Sequence, residues 1–246
     1  MSTEYTGAGD VTRSMELLWG TQERPSRGPK PTLTLDRIVE AAIELADAQG
    51  VTALSMRQVA AKLNVGTMSL YRYVPSKAEL LDVMFDRVQQ PIRPDPADGW
   101  REGLRQCAES QWHLFHRHPW LLQVSTGRPL LGPNALRNLE NLLTVLAGLG
   151  LTDAERLNVI VMVDSFVAGL ARTLIEAGQA TERTGTTEEQ FWAAQQPFLV
   201  DLMQCGDYPE LAALDGNVFT QLGHNTFEFG LERVLDGIGD MVERRA

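Results

Sequence analysis

Between Thr67 and Tyr73 the chain places Thr67, Met68, Ser69, Tyr71, Arg72 and Tyr73 around one aliphatic residue, Leu70. Few short stretches carry so many recognition groups. An arginine fork can bond guanine O6 and N7, an apolar tip can touch a thymine methyl, and hydroxyls and amines bond phosphates. Ser55, Arg57 and Lys77 flank the stretch with further polar groups. The plainer reading is a solvated face of a small helical domain, so the residues on either side must decide.

Other candidate chemistry is sparser. Glu109, His113 and His116 fall at i, i+4 and i+7, which is metal-ligand spacing on a helix, but no Cys or Asp stands beside them, and no metal or cofactor is expected. Asp164 and Arg172 interrupt an apolar run. Unpaired charge is costly there, so they either pair with other groups of the chain or line a pocket. Trp112, Phe115, His116, Trp120, Trp192 and Phe198 could wall an aromatic cavity or serve as ordinary core. The chain has no GxGxxG, P-loop, GxSxG or HExxH pattern, and nothing pairs a nucleophile with an orienting base, so no enzyme is expected. Cys107 and Cys205 form no CxxC and suit a cytosolic protein with reduced thiols.

The elements that must hold these residues are helical throughout. Thr34 caps a helix whose apolar stripe runs through Leu35, Ile38, Val39, Ala42 and Ile43, and Gly50 ends it. Ser55 opens a short helix to Leu63, Asn64-Val65-Gly66 make a turn, and Thr67 opens a second short helix to Tyr73. Pro75 stops it. Ser76, with Glu79 three residues on, caps a fourth helix as a capping box. The segment QPIRPDPADG, residues 90–99, is a break. Beyond it helices are expected near 100–118, 119–126, 133–149, 153–178, 187–205 and 217–244, with a turn at 208–214 and no strand-like alternation. The expected organisation is all-α: a mobile arm over 1–33 with at most one helical turn near Met15–Trp19, a small helix-turn-helix domain over 34–92, and a larger helical domain over 93–246.

Composition places the chain among globular proteins, with 43% apolar and 22% charged residues. No uncharged apolar run reaches the roughly 18 residues a bilayer span needs, and the N-terminus lacks the basic and apolar regions of a secretory signal, so no membrane partner is expected. The net charge of −10 is uneven: residues 1–93 are balanced at 11 basic and 11 acidic, so the whole excess lies beyond them. A locally basic head on an acidic body suits a protein that touches phosphates with one end. It also predicts weak non-specific affinity for DNA.

The run LDRIVEAAIELADAQGVTALSMRQVAAKLNVGTMSLYRYVPSKAELLDVMFDRV resembles the DNA-binding domain of the TetR (tetracycline-repressor-like) family. The similarity is carried by SMRQVAAKL, by VGTMSLYRYVPSK and by the paired leucines after it, over about 55 residues. WHLFHRHPW and FEFGLERVLDGI resemble, more loosely, the regulatory domain of actinobacterial members. The resemblance implies that Ser69, Arg72 and Tyr73 touch base edges or adjacent phosphates and that Tyr71 and Lys77 anchor phosphates. It puts Arg57 within reach of a base or phosphate, and Thr67 and Met68 at the start of the reading helix. It further implies a homodimer, with the helices near 153–178 and 217–244 packing into a four-helix bundle, bound to a palindromic operator in double-stranded DNA. The expected protein is a cytoplasmic repressor released by a small-molecule effector. An activator or a sensor of a partner protein is the alternative, and an enzyme fused to a helix-turn-helix is the reading from a different class. For the arm, Arg24, Arg27 and Lys30 either enter the adjacent minor groove or belong to a disordered solubilising tail.

Overall fold

A computed structural model describes residues 4–21, 33–204, 206–214 and 225–245. The head is built from helices whose starts are written locally. Thr34 accepts the Arg37 amide at 3.2 Å and starts α2 (Leu35–Gln49), which follows an earlier helix, α1 (Val11–Trp19). The chain leaves α2 through Gly50 at φ 80°, a conformation that a side chain would strain. Ser55 caps α3 (Met56–Lys62), and a turn through Asn64, also at positive φ, leads to α4 (Thr67–Leu70). Ser76 caps α5 (Lys77–Val88). Ile38, Val39, Val59, Leu70, Val74, Leu80 and Met84 of these elements close into one core.

Residues 4–20 depart from the expected mobile arm. Glu4–Tyr5 (β1) pair in parallel with Val124–Ser125 (β2), a two-residue ladder that no alternation in the sequence announced. Asp10 caps α1 by accepting from Thr12 and Arg13, and Gly20 ends it at φ 63°. The helix packs on α5, with Leu17 and Ser14 buried. The expected capping box at Ser76 is altered for the same reason. The Glu79 carboxylate takes the Ser76 hydroxyl and, at 2.8 Å, the backbone N–H of Asp10.

The body begins with a 3-10 turn at Pro96–Asp98 inside the Pro-rich break, followed by α6 (Gly99–Arg117). Residues 119–123 make a 3-10 turn where a helix over 119–126 was expected. Then come α7 (Pro133–Val145), α8 (Asp153–Thr184), α9 (Glu188–Gln204), the single turn α10 (Pro209–Ala212) and α11 (Thr226–Glu243). The first part of the helix expected over 217–244 lies outside the described residues. A second core joins Leu104 and Ala108 of α6, Val159, Val163 and Val167 of α8, and Leu231, Leu235 and Ile238 of α11. Arg101 ties α6 to α11 through Glu232 at 2.7 Å and Asp236 at 2.5 Å.

The two cores do not follow the boundaries expected at 33/34 and 92/93. The head core takes Leu17 from the N-terminal segment and Trp120, Leu121 and Val124 from the body. Asp47 of α2 receives both the Trp120 indole N–H at 2.8 Å and His118 Nδ1 at 2.7 Å. Asp86 of α5 accepts the Ala135 amide at 3.0 Å and so caps α7. Head and body are thus joined at α2 and at α5.

By length and composition α8 could cross a bilayer, which counting only uncharged runs did not register. Here one of its faces packs on α6 and α11. Its other face carries Leu157, Val161 and Met162 outward, so within one chain the helix is buried on one side only.

Candidate nucleic-acid interface and effector cavity

The reading element is held from below. Leu70 and Val74 are fully buried, and Val59 and Ala60 of α3 face the same core. The Val65 amide donates to Ala60 O at 3.0 Å, which fixes the angle between α3 and α4. Only Thr67–Leu70 is α-helical. Tyr71–Tyr73 continue as a turn, with the Tyr73 and Val74 amides bonded to Leu70 O at 2.8 and 2.9 Å, so the helix expected to Tyr73 is shorter. Anchoring on two buried aliphatics leaves Met68, Tyr71 and Arg72 exposed on one surface, with Thr67 and Ser69 half-buried beside them. Arg57 is exposed on α3. Among the described residues neither Arg57 nor Arg72 makes a hydrogen bond or ion pair, whereas Lys62 is held by Glu44 at 2.8 Å. Two free guanidiniums on one short surface are equipped to bind phosphate or guanine edges.

Two expected residues differ in setting. Tyr73 is half-buried against the head core, so much of its ring is committed to packing. The Lys77 ammonium is already partnered: Nζ lies 2.8 Å from Glu4 Oε1 and 3.1 Å from Val51 O. Glu4 was not among the residues singled out by sequence. Its partner is 73 residues away, and no local pattern marks such a pair. Arg24, Arg27 and Lys30 lie outside the described residues.

Behind the reading element, α5 shares a cavity of about 570 Å³ with α6, α7 and α8. Phe85, Leu122 and Ile160 give it apolar walls. Of the eight residues expected to line a pocket, Phe115, Asp164 and Arg172 do so. Asp164 is reached from the cavity and accepts a hydrogen bond from Gln111. The protein around it pushes its carboxyl above the ordinary carboxylate range, against that hydrogen bond. Arg172 donates to Leu122 O at 2.9 Å rather than to Asp164. Cys107, missed by the sequence reading, also lines the cavity, and burial pushes its thiol up to about 11, so it stays protonated near neutral pH.

The other five expected lining residues sit elsewhere. Trp112 stacks on Phe227 with centroids 4.5 Å apart, and His116 Nδ1 donates to Trp112 O at 2.8 Å. Trp120 is sealed in the head core by its bond to Asp47. Trp192 meets Phe191 edge-on in α9, and Phe198 is exposed on the same helix. Aromatic type alone could not separate wall from core, because both demand large apolar area. Among the described residues no group of three or more His, Cys, Asp or Glu could hold a metal ion.

Residues 38–84 match the family described as bacterial regulatory proteins, tetR family, and residues 93–242 match the tetracyclin repressor-like C-terminal domain. The chain is similar to the HTH-type transcriptional repressor DrrR1 of Streptomyces coeruleorubidus, at 52% identity over an alignment of 248 positions that covers 99% of this chain and 91% of the relative. It is 28% identical to the tetracycline repressor protein class A of Escherichia coli, covering 82% and 88% of the two chains. Among solved structures, ActR of Streptomyces coelicolor in complex with actinorhodin matches at a TM-score of 0.68 and 30% identity, covering 84% of this chain and 95% of that one.

Proposed function

Because the chain belongs to the TetR family of bacterial transcriptional regulators, which bind DNA through a helix-turn-helix and are not enzymes, we propose that it is a homodimeric repressor whose effector is a small molecule held in the body. One observation carries this reading: the cavity and the reading element share α5. That helix contributes Phe85, Asp86 and Val88 to the cavity wall, while its buried Leu80 and Met84 belong to the core on which α4 rests. A molecule that fills the cavity presses on the helix that sets the angle of the reading head. DrrR1 is named as a repressor, and ActR was crystallised with actinorhodin.

Arg72 and Met68 meet base edges, Ser69 and Thr67 contact bases or nearby phosphates, and Tyr71, Arg57 and Lys77 anchor the backbone. Tyr73 contributes mainly by supporting the turn. Leu157, Val161 and Met162 of α8, with Phe229 of α11, form the dimer face, and two heads related by a two-fold axis meet a palindromic operator. Acting on operator DNA, the protein works in the cytoplasm. The effector need not be exceptional: a thousandfold release corresponds to about 4 kcal/mol of differential affinity.

Selection of genomic fragments by the purified protein tests this reading. Enriched fragments should share a palindrome, and small-molecule cell extracts should elute them. Enrichment of single half-sites only, or of no common sequence, would count against the dimeric repressor.

A further inference from the structure

Residues 4–20 fasten two parts of the molecule together. Toward α5, the Gly7 amide donates to Asp82 Oδ1 at 2.9 Å, the Asp10 amide to Glu79 Oε1 at 2.8 Å and the Ser14 hydroxyl to Asp82 Oδ2 at 2.5 Å. Toward the body, the Thr6 amide donates to Ser125 O at 3.1 Å, and its hydroxyl lies 3.3 Å from the carbonyls of Ser125 and Arg128. Trp19 Nε1 donates to Leu131 O at 3.2 Å. Thr6 also stands in the wall of the cavity, together with Asp82. The segment is a strap that runs from the cavity wall to the start of α5, where Glu4 holds Lys77.

Lys77 has three N–H donors. One reaches Val51 O and one reaches Glu4. The side chains of Lys77 and Glu4 keep 27% and 28% of their surface accessible, so a phosphate can approach the ammonium. A carboxylate that already neutralises the ammonium removes one phosphate contact, and with it one share of counterion release. We infer that Glu4 competes with a DNA phosphate for Lys77, so that the N-terminal strap restrains DNA affinity from within the chain. This rests on Lys77 being a phosphate anchor, as proposed above.

The test uses the full-length protein and a random-sequence duplex, with affinity followed by fluorescence anisotropy over a series of salt concentrations. Glu4→Gln should tighten binding about twofold to fivefold at low salt, the range of a partly exposed ion pair. The slope of log affinity against log salt should steepen by about 0.9, the share of one phosphate. Both gains should vanish when Lys77→Gln is added. A gain that survives Lys77→Gln is a general loss of negative charge and overturns the competition. No gain from Glu4→Gln, with the double variant still weaker than the single one, also overturns it while leaving Lys77 as an anchor. If the double variant binds as well as Glu4→Gln, the anchor reading itself fails and takes the competition with it.

Discussion

Ile38, Val39, Val59, Leu70, Val74 and Leu80 of the head are sealed from solvent, whereas α8 of the body buries Val159, Val163, Val167 and Ala171 on one side only. On its other side Leu157, Val161 and Met162 stay 46%, 61% and 44% exposed, and Phe229 of α11 stays 66% exposed. Burying a large apolar side chain fully is worth about 1.5–3 kcal/mol, so the body leaves unused an association energy that the head has already spent on itself. The head is closed by its own helices together with Leu17 of α1, Trp120 and Leu121 of the 3-10 segment and Val124 of β2. The body leaves this stripe uncovered within one chain, and the proposed dimer would cover it with a second copy.

The largest effect should follow from charging that stripe. Val161→Asp combined with Phe229→Asp should give a monomer in sedimentation velocity with helical content retained. Linkage of two heads contributes about a hundredfold to ten-thousandfold in avidity, and operator affinity should fall by that order. A dimer that persists with operator affinity unchanged would place the interface elsewhere. Next in size is Leu70→Ala. A fully buried leucine replaced by alanine costs about 2–5 kcal/mol. Urea unfolding should register that loss in the head while the dimer survives, and equal loss of both would mean that head and body unfold as one unit.

Arg72→Ala should cost less and act more narrowly. The guanidinium is exposed and unpaired among the described residues, so its removal leaves the core intact. A bidentate arginine contributes about 1–3 kcal/mol of discrimination at one base pair, and site selection should show one relaxed position in each half-site. Uniform weakening across all sites would reassign Arg72 to the backbone.

The same contrast governs what the sequence disclosed. In the head, caps and periodicity act within a few residues. Ser55 meets the Gln58 amide, Gly50 ends α2, and Leu70 and Val74 share a face, so a local reading finds them. Of the strap only a helical turn near Met15–Trp19 was expected, although its helix carried two local signals, Asp10 as cap and Gly20 as stop. What fastens it is distant: Ser14 meets Asp82 and Thr6 meets Ser125, partners 68 and 119 residues away. Of the side chains singled out in the body, Asp164, Arg172 and Phe115 stand on the cavity wall and five others do not. Asp164 and Arg172 were conspicuous because a charge inside an apolar helix requires an explanation. Trp112 and Trp120 were not, because ring area fits a core as well as a wall.

The smallest effect tests the body from its cavity side. Although solvent reaches Asp164, desolvation by the protein packed around it raises its carboxyl above the ordinary value, and the Gln111 hydrogen bond only partly offsets this. In the unfolded chain the group returns to the ordinary carboxylate range. Between the two values the folded protein holds a proton that the unfolded chain has released. The stability from this group is therefore complete below the ordinary range and is lost as pH rises through the raised value. Asp164→Asn cannot ionise and keeps an oxygen to accept from Gln111. Its melting temperature should gain on the unmodified protein as pH rises from the ordinary carboxylate range toward neutrality. The gain should be modest, because water reaches Asp164 through the cavity and screens it. A difference that stays flat over that span would show that Asp164 is already ionised throughout. The cavity would then present a full negative charge to whatever enters it.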